Sequence, residues 1–132
     1  MKVSQTPDFL ESVANDPRVR PWIGGEGDIR AGDSWITTKA VEWDDGGVIF
    51  MPESVGVFSV HLVFARKARD VVDKCRQAAD WIFAQGAQAV VAEVPVTHRH
   101  VRAVAQALGM TQRGGRWWLT ATEHKERANG LG

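Results

Sequence analysis

The sequence predicts an α/β fold in which a mixed sheet has helices on both faces. Residues Val55–Phe64 form the longest predicted strand, and both of its alternating faces are largely apolar, as expected of a strand covered from both sides. Asp70–Ala84 has apolar side chains at helical spacing, and Ala89–Val94 is a nearly continuous apolar run that Pro95 ends. Because a helix of this length is the crossover that parallel strands require, we expect the two strands to be parallel neighbours.

The elements before the long strand are predicted from cap and turn signals. Thr6 and Pro7 favour the start of a helix, and Asn15–Pro17 favours its end. The Asp-Asp-Gly-Gly run at Asp44–Gly47 is typical of a tight hairpin turn, because Asp and Gly accept a positive φ. A strand is expected on either side of this turn, followed by a second turn: Ser34–Trp43, Val48–Met51 and then Pro52–Ser54.

The last third of the chain predicts a second helix, a closing hairpin and a polar tail. Thr97 is a candidate cap for the helix, which Gly109 ends. The two hairpin strands flank a pair of glycines, and the tail after them is expected to fray. These three segments are, in order, Met110–Arg113, Arg116–Thr122 and Glu123–Gly132.

Composition narrows the classes of function. The chain has 132 residues, enough for one core, and its 16 basic residues balance 16 acidic ones. Zero formal net charge gives no overall field to attract nucleic acid, and no apolar run reaches the ~20 residues of a membrane helix. A lone cysteine, Cys75, on the apolar face of a predicted helix and four scattered histidines lack disulfide and metal-ligand patterns. We therefore expect a cytoplasmic protein with a buried thiol, no metal site, and no nucleic-acid or membrane partner.

The order of the predicted elements is helix, strand, strand, long strand, helix, strand, helix, hairpin. Val94-Pro95 leads into the second long helix, which ends at Leu108-Gly109-Met110. This order resembles the GNAT family of acyl-CoA N-acyltransferases over Val3–Thr122. The resemblance implies a mixed sheet of six to seven strands in a single domain, residues 1–122, with residues 123–132 as a flexible tail.

Two short segments resemble small GNAT-like proteins encoded by phages and prophages. One is the Pro-Trp-Ile-Gly-Gly run at Pro21–Gly25, and the other is the His-Leu-Val-Phe strand with its Arg-rich loop at His61–Arg69. In the loop after the long strand, GNAT proteins carry glycines, and the backbone N–H groups there and the positive end of the next helix hold the coenzyme pyrophosphate. The resemblance implies that the same loop of this chain contacts acetyl-CoA.

That loop carries three cations but departs from the family pattern at one position. Arg66, Lys67 and Arg69 are present, whereas Asp70 stands where a glycine is expected. Asp70 either caps the helix and competes with a phosphate for the same amides, or the three cations offset its charge. The resemblance implies coenzyme contacts from the end of the long strand, the loop and the starts of both helices: Val63, Phe64, Arg66, Arg69, Asp70, Val71 and His98.

The catalytic residues that the resemblance implies are a base and an acid near the coenzyme thioester. The chain has no tyrosine, which GNAT proteins often use as the acid, so His98 or His100 is a candidate instead. His61 on the long strand and Glu93 at the end of the neighbouring strand are candidate bases. The alternatives are a half-buried core histidine, and a strand-end carboxylate that faces water or pairs with Arg99 or Arg102.

Two functions fit this sequence. The first is an N-acyltransferase that moves an acetyl group from acetyl-CoA to a small amine or a protein amine, acting as a monomer or a homodimer. The second is a catalytically silent GNAT-like phage accessory or assembly protein, which Trp22, Trp35, Trp43 and Trp118 would anchor to a phage or host partner.

Overall fold

The computed structural model describes residues 1–4, 8–17, 27, 38–65 and 67–128. The predicted cap at Thr6, the segment Pro21–Gly25, Trp35 and Arg66 lie outside the described residues. Within the described residues the strands are β1 Lys2–Val3, β2 Lys39–Trp43, β3 Gly46–Ser54, β4 Val57–Phe64, β5 Ala89–Ala92, β6 Thr111–Arg113 and β7 Arg116–Thr120. The helices are α1 Asp8–Ala14, α2 Val71–Ala84, α3 Arg99–Ala107 and α4 Ala121–Ala128.

The strands form one mixed sheet in the order β1-β2-β3-β4-β5-β7-β6. All neighbours are antiparallel except β4 and β5, which are parallel and are joined through α2. This confirms the predicted α/β fold class and the predicted parallel pair. The helical and strand periodicities of this segment therefore correctly predicted a crossover helix between two parallel strands.

Helices cover both faces of the sheet. On one face, α2 places Cys75, Ala78 and Ile82 in a core shared with Val48 and Phe50 of β3. On the opposite face α1 lies against β3, since a methyl group built at Gly47 would lie 2.6 Å from the Phe9 ring. Cys75 is 4% exposed, which confirms its prediction as a buried thiol.

The parallel strands are paired only at their beginnings. Val57–Ser59 of β4 pairs with Ala89–Val91 of β5, and no pairing follows. We call the divergence of the two strands beyond Ser59 and Val91 the fork. Residues of β4 from Val60 onward pair with β3 alone, so their other edge has no strand partner within the described part of the chain.

The predicted turn at Pro52–Ser54 is wrong. β3 continues through these residues to Ser54, and its register with β4 shifts between Pro52 and Ser54. An irregularity of this kind accommodates a proline that lacks an N–H donor. The chain instead turns at Val55 and Gly56, so the long strand begins at Val57, and Val55 is 94% exposed.

The prediction that Thr97 caps α3 is also wrong. The helix begins at Arg99, and its cap residue is His98, which makes no side-chain cap hydrogen bond. The predicted end of the closing hairpin is two residues late, because β7 ends at Thr120 and α4 follows.

The start of the polar tail is helical. The Thr120 hydroxyl accepts a hydrogen bond from the Glu123 N–H at 3.1 Å, and the Glu123 carboxylate accepts from the Thr120 N–H at 3.3 Å. This reciprocal pair is a capping box, and its Thr-x-x-Glu signature is visible in the sequence. Helical structure thus continues to Ala128, beyond the predicted domain boundary at residue 122.

Candidate functional site

A cavity of about 220 Å³ opens at the fork. Apolar side chains of β4, α2 and α3 form most of its wall, including Leu62, Cys75 and Val104. Two of the polar groups at its rim come from the strands that diverge, His61 from β4 and Glu93 from the segment after β5. The fold therefore brings both predicted base candidates to one opening.

His61 lies on β4 two residues beyond the last pair with β5. Its Nε2 is 3.4 Å from the Ser59 hydroxyl. Although the residue as a whole is exposed, partial burial of its ring lowers its pKa, and the negative charges of Glu93 and Glu53 oppose that effect. A neutral imidazole at the mouth of an apolar cavity can accept a proton near neutral pH.

Glu93 extends from the end of β5 into solvent, with 79% of its side chain exposed. Its Oε1 lies 3.7 Å from Nε of Arg116 on β7. The charged partner of Glu93 is therefore Arg116, and not Arg99 or Arg102 as the sequence alternative expected. The carboxylate keeps access to the cavity mouth while it is held near a cation.

The two candidate acids at the start of α3 are separated by the structure. His98 lines the cavity, whereas His100 is not among the lining residues. Both residues are exposed. Of the two, only His98 is placed beside the position that His61 and Glu93 share.

The start of α2 has a conformation that explains the missing glycine. Asp70 has φ 55° and ψ 35°, and it is the only non-glycine residue with a positive φ among the described residues. Asp and Asn accept this left-handed conformation better than other residues with a side chain. Asp70 therefore preserves the backbone shape that a glycine would give, although its side chain adds a charge.

Asp70 does not cap the helix with its side chain. It makes no side-chain cap hydrogen bond, and the first intrahelical bond in which it takes part runs from the Lys74 N–H to its carbonyl at 2.9 Å. The N–H groups of residues 71–73 consequently have no carbonyl within the helix to bind. These donors, at the positive end of α2, can bind an anion.

A different carboxylate, that of Asp45 in the turn between β2 and β3, contacts the loop before α2. Its Oδ2 accepts a hydrogen bond from Lys74 Nζ at 2.6 Å and lies 3.4 Å from the backbone N of Arg69. The hydrogen bond from Lys74 is the largest cause that lowers the Asp45 carboxyl pKa. The other oxygen, Oδ1, is buried and has no hydrogen-bond partner among the described residues. The acid that competes for this loop is thus Asp45, which sequence reasoning missed.

Val63 and Phe64 lie at the far end of β4. Their side chains line a separate groove of about 540 Å³ together with Trp43 and Asp45, and the Phe64 ring centroid is 6.0 Å from that of Trp43. The side chains of these two residues therefore do not line the cavity at the fork. Arg69 and Asp70 are exposed at the loop, and Val71 is half-buried at the start of α2.

Several solved acetyltransferases have a similar arrangement of elements. The aminoglycoside acetyltransferase AAC(6')-Ib in complex with coenzyme A and kanamycin has a TM-score of 0.71, with 96% of this chain and 98% of that chain covered at 8% identity. The chain has the GNAT fold. The spermidine N-acetyltransferase SpeG of Vibrio cholerae, in complex with CoA and spermine, has a TM-score of 0.70, with 94% and 97% covered at 9% identity. No family model and no curated protein matches this sequence.

The described ranges hold neither a metal-binding cluster nor a membrane-spanning helix. No group of three or more His, Cys, Asp or Glu residues could hold a metal ion in the described ranges. None of the helices in the described part of the chain has the length and apolar character needed to cross a bilayer.

Proposed function

We propose that this chain is an N-acyltransferase that moves an acetyl group from acetyl-CoA to an amine in the cytoplasm. The observation that carries the proposal is the fork, where two parallel strands separate beside an apolar cavity with His61, Glu93 and His98 at its rim. A narrow apolar channel with a few convergent polar groups suits a thioester-bearing arm and a reacting amine. The GNAT fold supports the proposal, since both comparison proteins bind coenzyme A and an amine.

The coenzyme is proposed to lie along the open edge of β4. Beyond Ser59 this edge has backbone donors and acceptors without a strand partner, and the amide groups of a pantetheine arm can pair with them as an added strand would. The diphosphate then reaches the loop 65–70 and the free N–H groups at the start of α2. Arg69 and Lys67, both exposed there, supply positive charge.

The reaction needs one proton removed and one proton supplied. The amine nitrogen attacks the thioester carbonyl carbon, a C–N bond forms, and the C–S bond breaks. His61 takes the proton from the amine, and the negative charge of Glu93 stabilises the imidazolium that results. The thiolate of the departing coenzyme takes a proton from His98. His98 serves in place of the tyrosine that this chain lacks.

Calorimetry with acetyl-CoA tests the binding step, and thiol release tests the chemistry. We expect saturable heat with acetyl-CoA and, in the presence of a panel of amines that includes spermine and kanamycin, amine-dependent release of free CoA detected with a thiol reagent. Burial raises the pKa of Cys75 to about 12, so the protein's own thiol adds little background. If millimolar acetyl-CoA gave no binding heat and no thermal stabilisation, the proposal would be overturned.

A catalytically silent accessory protein, of phage origin or otherwise, is the second candidate. The observation that favours it is Asp45, whose carboxylate already holds Lys74 and lies near the Arg69 amide where a diphosphate would bind. Trp43 and Trp118, proposed as anchors for a phage or host protein, are engaged within the chain by Phe64 and Arg116, respectively. Co-purification of a specific partner from phage-infected cells, with no CoA binding in the same preparation, would favour this candidate over the enzyme.

A further inference from the structure

Arg116 connects three neighbouring groups on one face of the sheet. Its Nη2 donates to Oε1 of Glu53 on β3, its Nε is 3.7 Å from Oε1 of Glu93, and its guanidinium carbon lies 5.6 Å from the centroid of the Trp118 ring. The strands β3, β4, β5 and β7 are consecutive in the sheet, so the side chains of Arg116 and Glu53 meet over the two strands that lie between them. This contact lies over the face that carries His61.

The two carboxylates are held unequally. Glu53 is bound through a close charged contact in which both side chains are largely covered, with 29% of Arg116 and 33% of Glu53 exposed. Glu93 is 79% exposed and sits beyond hydrogen-bond distance of the Nε–H, which is buried and has no hydrogen-bond partner among the described residues. Arg116 is therefore anchored at Glu53 and presents a free donor toward Glu93.

The contacts between Arg116 and the two carboxylates affect His61, because both carboxylates act on its charge. The charges that act on His61 are those of Glu53 from β3 and Glu93 after β5. Arg116 from β7 contacts both of these carboxylates, and His98 at the start of α3 lines the same cavity as His61. Glu93 belongs to the irregular segment after β5, where no strand pairing fixes its position. A nearby guanidinium limits where its carboxylate can settle.

We propose that Arg116, anchored by Glu53, is a positioning residue that keeps the Glu93 carboxylate beside His61 at the mouth of the cavity. The consequence for catalysis rests on the proposed acyl transfer, because a positioned Glu93 stabilises the imidazolium that forms when the amine loses its proton. The positioning is a property of the free protein. It is measured without coenzyme, amine or turnover.

The test is the electrostatic coupling between Glu93 and His61, read from the His61 ring signals by NMR as pH is varied. With Arg116 present, Glu93→Gln removes a nearby negative charge, so we expect the His61 pKa to fall by about half a unit. In the Arg116→Gln background we expect the same substitution to lower it by less than half as much, because Glu93 is no longer held. In the Arg116→Lys background, which keeps the positive charge, Glu93→Gln should lower the His61 pKa by an amount between these two.

Arg113→Gln is the matched control, since it removes an equal charge from the same hairpin at a residue that pairs with Glu123. In the Arg113→Gln background, Glu93→Gln should lower the His61 pKa by as much as it does in the parent. Glu53→Gln should reduce that fall as Arg116→Gln does, because it releases the anchor. An equal fall with and without Arg116, in variants that unfold cooperatively as the parent does, would overturn the inference. Failure of acetyl transfer alone would count against the proposed function and leave the coupling result standing.

Discussion

Asp45 is a side chain that would compete with the diphosphate in the proposed mode of coenzyme binding. Its carboxylate stands near the Arg69 amide and binds Lys74, two positive features that a diphosphate would use. Like charges at about 4 Å repel by about 1 kcal/mol in water-like surroundings. A bound coenzyme must therefore displace this carboxylate or tolerate it.

Asp45→Asn should tighten CoA binding. The substitution removes the competing charge and leaves Lys74 free, so we expect Kd for CoA to fall by about fivefold, measured by calorimetry. Asp44→Asn is the matched control, because Asp44 is the adjacent, exposed carboxylate of the same turn. An equal gain from Asp44→Asn would show a general charge effect and contradict the role given to Asp45.

His61 sets the expected pH dependence of acyl transfer. The ordinary histidine pKa is 6.5, and burial lowers the pKa of His61 in the folded protein. The reaction uses the neutral imidazole of His61, so the rising limb of kcat/KM against pH should have a midpoint below 6.5.

His61→Gln should reduce kcat by about 10²- to 10⁴-fold and abolish that rising limb in a pH–rate profile. His100→Gln, which changes a histidine outside the cavity lining, should leave both the rate and the profile as in the parent. A rising limb that persists in His61→Gln would assign the base to another group.

Single residues at this site were only partly predictable. His61, Glu93 and His98 meet at one cavity because strand order and the crossover place them there, and those features have local sequence signals. Asp45 and Arg116 act through contacts to residues 29 and 63 positions away in the chain. No periodicity or turn signal encodes such contacts, so they had to come from the folded structure.

At the scale of elements, the start of α2 determines whether the loop can receive an anion. Asp70 holds a left-handed conformation at φ 55° without a cap hydrogen bond, so the helix start depends on backbone shape and not on capping. A residue with a Cβ and no short polar group is strained in this region.

Substitutions at Asp70 should therefore rank by their tolerance of positive φ. Asp70→Gly should have a free energy of unfolding about 1 kcal/mol greater than Asp70→Ala, with Asp70→Asn close to the parent. Denaturant unfolding measures this order. If Asp70→Ala proved as stable as Asp70→Gly, the left-handed helix start would be contradicted.

The elements themselves were predicted where the signal is local and were missed where it is not. Both long helices and the parallel pair follow from strong periodicity, whereas β1 exists through its pairing with β2 at Lys2 and Glu42. The end of β3 was missed because Pro52 was interpreted as a turn, although pairing with β4 carries the strand past it. The start of α4 is an exception, because its Thr-x-x-Glu capping signal is local and visible in the sequence.

At the scale of the whole molecule, the sheet places two proposed half-sites along one strand, β4. The fork provides an apolar cavity with polar groups at its rim, and the start of α2 provides free amide donors at the end of the same open strand edge. The two half-sites are connected by β4, so a single extended ligand can reach both. An acyl-CoA has that form, with a thioester at one end and a diphosphate toward the other.

The most direct test is a titration of the isotopically labelled protein with CoA, followed by amide chemical shifts. We predict saturable shifts at the amides of Val71 and Val72, together with shifts at Leu62 and Val94 on the two sides of the fork. Shifts at both half-sites with one common Kd would support a single ligand spanning them. No shift at millimolar CoA, or shifts confined to residues away from the fork and the start of α2, would contradict the account.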